Sequence, residues 1–415
     1  MVSLVLTIGT FYIQQSLAKS SYPQFVIETK SGDESEIKSL EIDAGYRNEG
    51  IAENLLITSE GTEYRQDLSL VREAFDYYEE PGIKRLQDEF RNFMRGKVGN
   101  PSLFYEDEDR LIYADVGGDY GFNSYEPNQF EFEIAVLNKD SNDKTSFKLM
   151  VPNNNQYQFI HVEDVQFVND ELLVITHNNL RFNESNVEYI DNNSTEIHVY
   201  SFDIAEEKLL KDETIEFPEV DKENEQMVDM FMMRDEEQMV SNKSIVLTTE
   251  IGEERMVEEG IYAFEPVDFQ LIRYHLETGE QFELDLPEEV KEGYRPEIMK
   301  DDHVYFKKIS DSQLDIIRYN VETQEIDVKQ TFDLPLDSEN VTGMFGGGIQ
   351  GGTSRIDDDK VYYVSTLKSV DVDATVFVGD IETGDILYEG SIEHDPTSTT
   401  PPNKYQLELY YFNLK

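Results

Sequence analysis

The chain has 415 residues, with 35 Lys and Arg against 87 Asp and Glu for a formal net charge of −52, and it contains neither Cys nor Trp. That balance excludes a basic nucleic-acid groove, a polybasic membrane footprint, a disulfide framework, a thiolate metal site and a cysteine nucleophile. The 39% hydrophobic and 12% aromatic content is enough for a core, and the acidic residues alternate with Val, Ile, Leu, Phe and Tyr along the whole chain. This is the pattern of strands with an acidic solvent face, a surface that repels phosphate backbones and anionic lipid heads and attracts cations and basic partners.

From the N-terminus, Val2, Leu4, Val5, Leu6, Ile8, Phe11, Tyr12 and Ile13 form an apolar run about as long as a secretory hydrophobic region and shorter than a membrane span. Ser16-Leu17-Ala18 is a small-x-small triplet, so residues 1–18 read as a signal peptide cut before Lys19 or as a retained N-terminal membrane anchor. Lys19, the first basic residue, follows the apolar run instead of preceding it, which places the true start upstream of Met1 as an alternative. Without a cysteine there is no lipoprotein anchor. Short apolar segments of strand length come next, at Gln24 to Thr29, Ser39 to Asp43 and Asn54 to Thr58.

Between Tyr64 and Lys97 the apolar period becomes helical. Leu68, Val71, Phe75 and Tyr78 share one face, and after Pro81-Gly82 so do Ile83, Leu86, Phe90, Phe93 and Met94, which predicts a helical hairpin over 64–97. This insertion carries Arg72, Lys84, Arg85, Arg91, Arg95 and Lys97, much of the scarce basic charge. It reads either as packing over a sheet edge or the end of a central tunnel, or as a docking element or cap over one mouth, with Arg85, Arg91 and Arg95 as binding candidates.

The rest of the chain repeats three elements in fixed order. The first is a turn rich in Asp or Asn that opens an apolar strand: Asp109 to Tyr113, Asp170 to Val174, Asn242 to Leu247, Asp302 to Phe306 and Asp359 to Tyr363. The second is a strand closed by an E-T-G or E-T-Q turn, clearest in Gln270 to Glu280, Leu314 to Glu325 and Thr375 to Asp385, with degenerate versions at Phe132 to Asp140 and Ile197 to Asp203. The third is an alternating strand usually closed by proline, as in Phe282 to Pro287 and Phe332 to Pro335. The steps from Leu111 to Leu172, Ile245, Val304 and Val361 are 61, 73, 59 and 57 residues. A small antiparallel sheet repeated at this period must bury both faces against its neighbours, as a propeller blade does.

The C-terminal strand Gln406 to Leu414 aligns with the Gln313 to Val321 strand but lacks opening and closing partners. The N-terminal segments supply them, with Gln24 to Thr29 as the closing strand and Ser39 to Asp43 and Asn54 to Thr58 as inner ones. The fold expected is therefore an all-β propeller of six four-stranded blades over 22–415, closed by both termini, with seven blades as the alternative. In these degenerate E-T-G repeats the chain resembles the β-propeller superfamily, in particular quinoprotein-like extracytoplasmic bacterial propellers. The sheet tryptophans of that type and the Gly-His and Trp-Asp pairs of WD40 blades are absent, so neither a cofactor nor a partner mode follows from the resemblance.

Chemistry-bearing clusters are few. The histidines His161, His177, His198, His275, His303 and His394 have no metal-ligand spacing. The hard oxygen ligands of the carboxylate clusters suit calcium, with candidates at Asp301-Asp302 and Asp357-Asp358-Asp359, yet these occupy the strand-opening turn, where Asp is favoured for turn chemistry alone. Gly346, Gly347 and Gly348 lie in the only glycine-rich stretch, a candidate ligand-admitting loop without phosphate-loop residues. The methionines Met227, Met230, Met232, Met233 and Met239 form either a packed ridge or an adaptable partner surface.

With no nucleophile and base in evidence, the expected function is a non-enzymatic interaction or sensory module, exported or surface-anchored at the cell envelope. It would bind a protein partner, bind no nucleic acid, and meet the membrane only through its N-terminal segment. The alternatives are a hydrolase or lyase with an axial carboxylate or calcium site, and a glycan- or peptide-binding propeller.

Overall fold

A computed structural model describes residues 22–48, 51–65, 81–120, 127–181, 195–216, 226–233, 239–258, 261–310, 313–334, 352–365, 374–398 and 406–414. The expected leader at 1–18, the helix of Leu68 to Tyr78, and Gly346, Gly347 and Gly348 lie outside the described residues.

In chain order, β1 (Phe25–Gly32), β2 (Leu40–Asn48), β3 (Ile51–Thr58) and β4 (Gly61–Tyr64) precede the helices α1 (Pro81–Glu89) and α2 (Arg91–Met94). Four meanders follow, each pairing consecutive strands. The first is β5 (Phe104–Glu106), β6 (Arg110–Tyr120), β7 (Pro127–Asn138) and β8 (Lys144–Met150); the second is β9 (Tyr157–Val168), β10 (Glu171–Leu180), β11 (Thr195–Asp203) and β12 (Lys208–Ile215). The third is β13 (Gln226–Met232), β14 (Ser244–Glu258), β15 (Ile261–His275) and β16 (Gln281–Glu283). After a helical turn α3 (Glu288–Lys291), the fourth is β17 (Arg295–Lys300), β18 (His303–Ser310), β19 (Gln313–Asn320) and β20 (Glu325–Asp333). The fifth sheet contains β21 (Gly352–Asp357), β22 (Lys360–Ser365), β23 (Ala374–Asp380) and β24 (Ile386–His394), and the last strand is β25 (Gln406–Leu414).

The remaining sheet joins the two ends of the chain in the order β25-β2-β3-β4. Six four-stranded antiparallel sheets, one of them built from both termini, are the strand organisation of a six-bladed β-propeller. The assignment of strands at the ends differs from the sequence expectation in two ways. β25 is an edge strand paired only with β2, and the closing strand is β4, at the start of the segment expected to be helical. β1 instead adds a fifth strand to β24, from Phe25 opposite His394 to Gly32 opposite Tyr388. Thr62 of β4 explains how β1 serves both sheets: its hydroxyl accepts from Phe25 N at 2.7 Å and donates to Phe25 O at 2.6 Å, replacing a ladder step.

The repeated turns have a common stereochemistry. Asn142, Glu207, Gly279, Gln324 and Gly384 close the hairpin between the third and fourth strands of five sheets, with φ of 59°, 50°, 70°, 57° and 75°. The residue four before each begins the turn. Asn138, Asp203, Asn320 and Asp380 each accept a main-chain N–H with the side-chain oxygen, an Asx turn that sets up the left-handed residue. Leu276, Val321 and Ile381, next in sequence, bury their side chains and donate main-chain N–H bonds of 2.8–2.9 Å to Lys243, Asp302 and Asp359 in the preceding hairpin. Asp therefore recurs in the opening turns because both central residues can take positive φ, as at Asn169-Asp170 (52° and 65°) and Asp358-Asp359 (50° and 57°).

The chain forms two compact units, one of Met1–Tyr78, Lys307–Arg318 and Asp327–Lys415, the other of Glu79–Phe306 and Tyr319–Ile326. In the first, Ile42, Ile57, Tyr64, Val376, Tyr388 and Phe412 form one core. In the second, Ile83, Leu86 and Phe93 of the helices pack with Phe104, Phe132, Tyr200 and Phe202, so the helices belong to the blade core.

Candidate functional site

The three arginine candidates separate. Arg85 on α1 pairs with Glu89 at 3.2 Å and, through both guanidinium nitrogens, with Glu106 at the end of β5. Lys139 reaches the same carboxylate at 2.7 Å. Burial opposes ionisation of Glu106, but hydrogen bonds from Arg85 and Lys139 outweigh it and hold the carboxyl below its usual range. Arg85 thus fastens the helix to the first sheet. Arg91 and Arg95 are exposed and form no ion pair among the described residues.

Between these two in sequence, Phe93 buries its ring against the sheet while Lys97 Nζ lies 4.1 Å and Lys144 Nζ 5.6 Å from its centroid. Lys97 donates to the Phe93 carbonyl at 2.7 Å. Burial, and then the like charge of Lys144, push the Lys97 ammonium below its ordinary range, against a partial pull from Glu133. Lys97 and Lys144 thus meet at the Phe93 ring and Arg91 and Arg95 flank it in sequence, and none of the four pairs with a carboxylate within 4 Å among the described residues.

The calcium candidates do not converge. Asp301 (φ 52°) and Asp358-Asp359 shape turns, Asp302 gives its main-chain carbonyl to Val321, and Asp359 pairs with Arg318 at 3.0 Å. Among the described residues no group of three His, Cys, Asp or Glu side chains is arranged to hold a metal ion.

Two constellations were not singled out from the sequence. In the first, the His198 ring on β11 lies 2.6 Å from Asp212 through Nδ1 and 3.0 Å from Glu196 through Nε2, with the Tyr157 hydroxyl 3.2 Å away. Burial works against the imidazolium, yet the bonds with Asp212 and Glu196 prevail and raise its proton affinity. Tyr157 is pushed up to about 12, chiefly by burial. The Tyr200 ring stacks on the imidazole at 5.3 Å. These contacts tie the start of β9 to β11 and β12 through a polar network.

The second centres on Asp164 of β9, 2% exposed, at a bulge where the pairing with β10 shifts between Ile175 and Thr176. Its carboxylate accepts from Val165 N and Gln166 Nε2, both at 2.9 Å, and pairs with no cation among the described residues. Burial raises its pKa to about 7, with only partial relief from those two bonds. Gln166 also donates to Val240 O at 3.0 Å and accepts from Asn242 N at 2.9 Å. Asp164 lines a cavity of about 220 Å³ with Met232, Met233, Val240, Asn242, Ser244, Ile245, Met299, Lys300 and Asp301. The signal in the sequence was the run Ile160, Val162, Asp164, Gln166, in which two polar residues continue an apolar strand face.

No family model matches the chain, and no curated protein matches it. Solved structures similar to it include TolB from Acinetobacter baumannii (10% identity, TM-score 0.29), covering 88% of this chain and 66% of that one. An apocarotenoid oxygenase from Synechocystis (8%, TM-score 0.38) covers 95% of this chain and 97% of its own, and the β-propeller domain of the Trilobed protease from Pyrococcus furiosus (10%, TM-score 0.31) covers 87% and 84%. The chain spans just under two thirds of the TolB chain's length. The fold assignment rests on the strand order and turn stereochemistry described above, independently of these likenesses.

Proposed function

We propose that this chain is an exported or surface-anchored, non-enzymatic β-propeller acting as an interaction or sensory module at the cell envelope, with a protein partner docking on the basic surface around α2. The observation that supports this reading is that Lys97 and Lys144 meet at the Phe93 ring, with the exposed Arg91 and Arg95 on either side of it in sequence, and that none of the four has a carboxylate partner among the described residues, on a chain of net charge −52. Cations this scarce are ordinarily consumed by nearby acids. Left together they attract an acidic surface and steer its approach.

The test is a pull-down from envelope extracts with the wild-type chain and the Arg91→Glu/Arg95→Glu variant. A partner retained by the wild type, weakened by salt and lost from the variant, supports the proposal. Equal retention by both proteins, or an absence of any partner in the envelope fraction, overturns it.

A further inference from the structure

The geometry points to a second site, independent of the docking surface: the cavity beside Asp164 binds a small organic monocation, a primary alkylammonium, with the carboxylate as its counterion and methionine side chains as its walls. The volume of about 220 Å³ holds roughly seven waters at ~30 Å³ each, which matches an alkylammonium of about six heavy atoms. Met232, Met233, Met299, Val240 and Ile245 offer apolar, polarisable surface to an alkyl chain. Asn242 and Ser244 supply the few polar groups that orient a ligand.

Charge selects the ligand class. Among the described residues of the lining, Lys300 and Asp301 are the other charged ones and offset each other in formal charge, so Asp164 sets the net charge that these residues give the site. The strand positions around Asp164 add none: its register partner on β10 is Ile175, β13 contributes Met232, and β14 contributes Ser244 and Ile245. Glu163, at the bulge, lies 3.8 Å from His177. Among the described residues the carboxylate receives two hydrogen bonds, both from its own strand. A buried carboxylate without a cation is satisfied by a proton or by a cation that arrives with the ligand. An ammonium supplies that charge and three donors.

The probes are n-pentylammonium chloride and its neutral isostere 1-pentanol, titrated into the full chain by calorimetry at pH 8 in 150 mM salt. The expected result is saturable one-to-one binding of pentylammonium, at least tenfold tighter than pentanol, and lost in Asp164→Asn with the fold checked by circular dichroism. The wild type gives a second readout that needs no variant. With a carboxyl titrating at about 7, affinity falls about tenfold from pH 8 to pH 6, and the heat at pH 6 depends on the buffer because binding releases close to one proton. Equal binding of pentanol, unchanged binding in Asp164→Asn, no saturable binding, or weak attraction that disappears with added potassium chloride would each overturn the assignment.

Discussion

The repeated arginine of the third strand makes a testable link between adjacent sheets. Arg273 of β15 bonds Ser244 Oγ at 2.9 Å and reaches Glu322 in the next sheet's E-T-Q turn; its side chain is 5% exposed, whereas that of Glu322 is 43% exposed. Removing either partner is therefore a different perturbation. Glu322→Gln leaves a guanidinium in the interior with one fixed side-chain acceptor. Stripping a buried charge of its partner costs about 3–5 kcal/mol, and the amide oxygen kept by Gln lowers this to about 2–3 kcal/mol. Arg273→Met gives up the guanidinium's place over Phe282 and its bond to the buried Ser244 hydroxyl, and leaves a carboxylate that water already reaches, at a cost of about 1–2 kcal/mol. Urea unfolding of both variants and of the double variant supplies the comparison, with a coupling energy of about 0.5–3 kcal/mol. The Glu322 carboxyl is held below its ordinary range by the bond from Arg273, with burial a weaker opposing effect. The pair's contribution is thus complete above the unfolded carboxyl's pKa of about 4.3 and is lost as pH falls through the folded value, so Glu322→Gln flattens the acid limb of stability. If Arg273→Met costs as much as Glu322→Gln, or both stay within about 0.5 kcal/mol of wild type, the burial asymmetry is not what governs the link.

Three further outcomes follow from the packing. A Cβ at Gly379 would lie 2.6 Å from the Phe332 ring, which is itself buried, so Gly379→Ala should lower stability by about 1–3 kcal/mol in thermal unfolding. Gln324 holds φ of 57° where Gly279 and Gly384 stand in sister turns, and its Oε1 accepts from Asp285 N at 3.0 Å, so Gln324→Gly relieves the backbone but gives up that bond and should stay within about 1 kcal/mol of wild type in thermal unfolding; a larger loss would contradict the turn argument. The raised His198 pKa makes its contribution complete below the unfolded value of about 6.5 and lost as pH rises through the folded one. The variant His198→Gln should therefore lose most stability at low pH and least at high pH, measured by urea unfolding across that window.

The repeat was legible because one stereochemical demand recurs: a side-chain acceptor at Asn320 or Asp380, then an anchor such as Val321 or Ile381, then a residue that tolerates positive φ. Such demands restrict residue type directly. The strand order at the ends was less legible, because β1 and β4 can each satisfy a closing role; the choice depends on Thr62 and on register with β24, a contact far apart in sequence. The Asp164 cavity was hidden for a related reason. Its walls come from β9, β13, β14 and the β17 end, and nothing local to any one of them marks the others. The Asp301-Asp302 and Asp357-Asp358-Asp359 clusters, by contrast, were conspicuous because turns concentrate Asp, which is a backbone requirement and brings no ligands together.

The same distinction organises the scarce positive charge. Arg85 is committed to Glu106, Arg273 to Glu322, and Arg318 to Asp359 at 3.0 Å and to Glu382. The repeat even marks where the link stops: Ser201 and Val378 occupy the position of Arg273 and Arg318 in their own sheets, and the buried Ser201 hydroxyl has no hydrogen-bond partner among the described residues. Arginines at these junctions neutralise acids that the repeat itself places opposite them, so they stabilise the fold and are not available to a partner. A basic surface is therefore informative on this chain only where the repeat supplies no acid, and the short helix bearing Arg91 and Arg95 lies outside the repeat. Reversing the charge of those two should leave unfolding within about 0.5 kcal/mol of wild type, while neutralising Glu322 does not; a large loss of stability on Arg91→Glu/Arg95→Glu would place them among the structural cations.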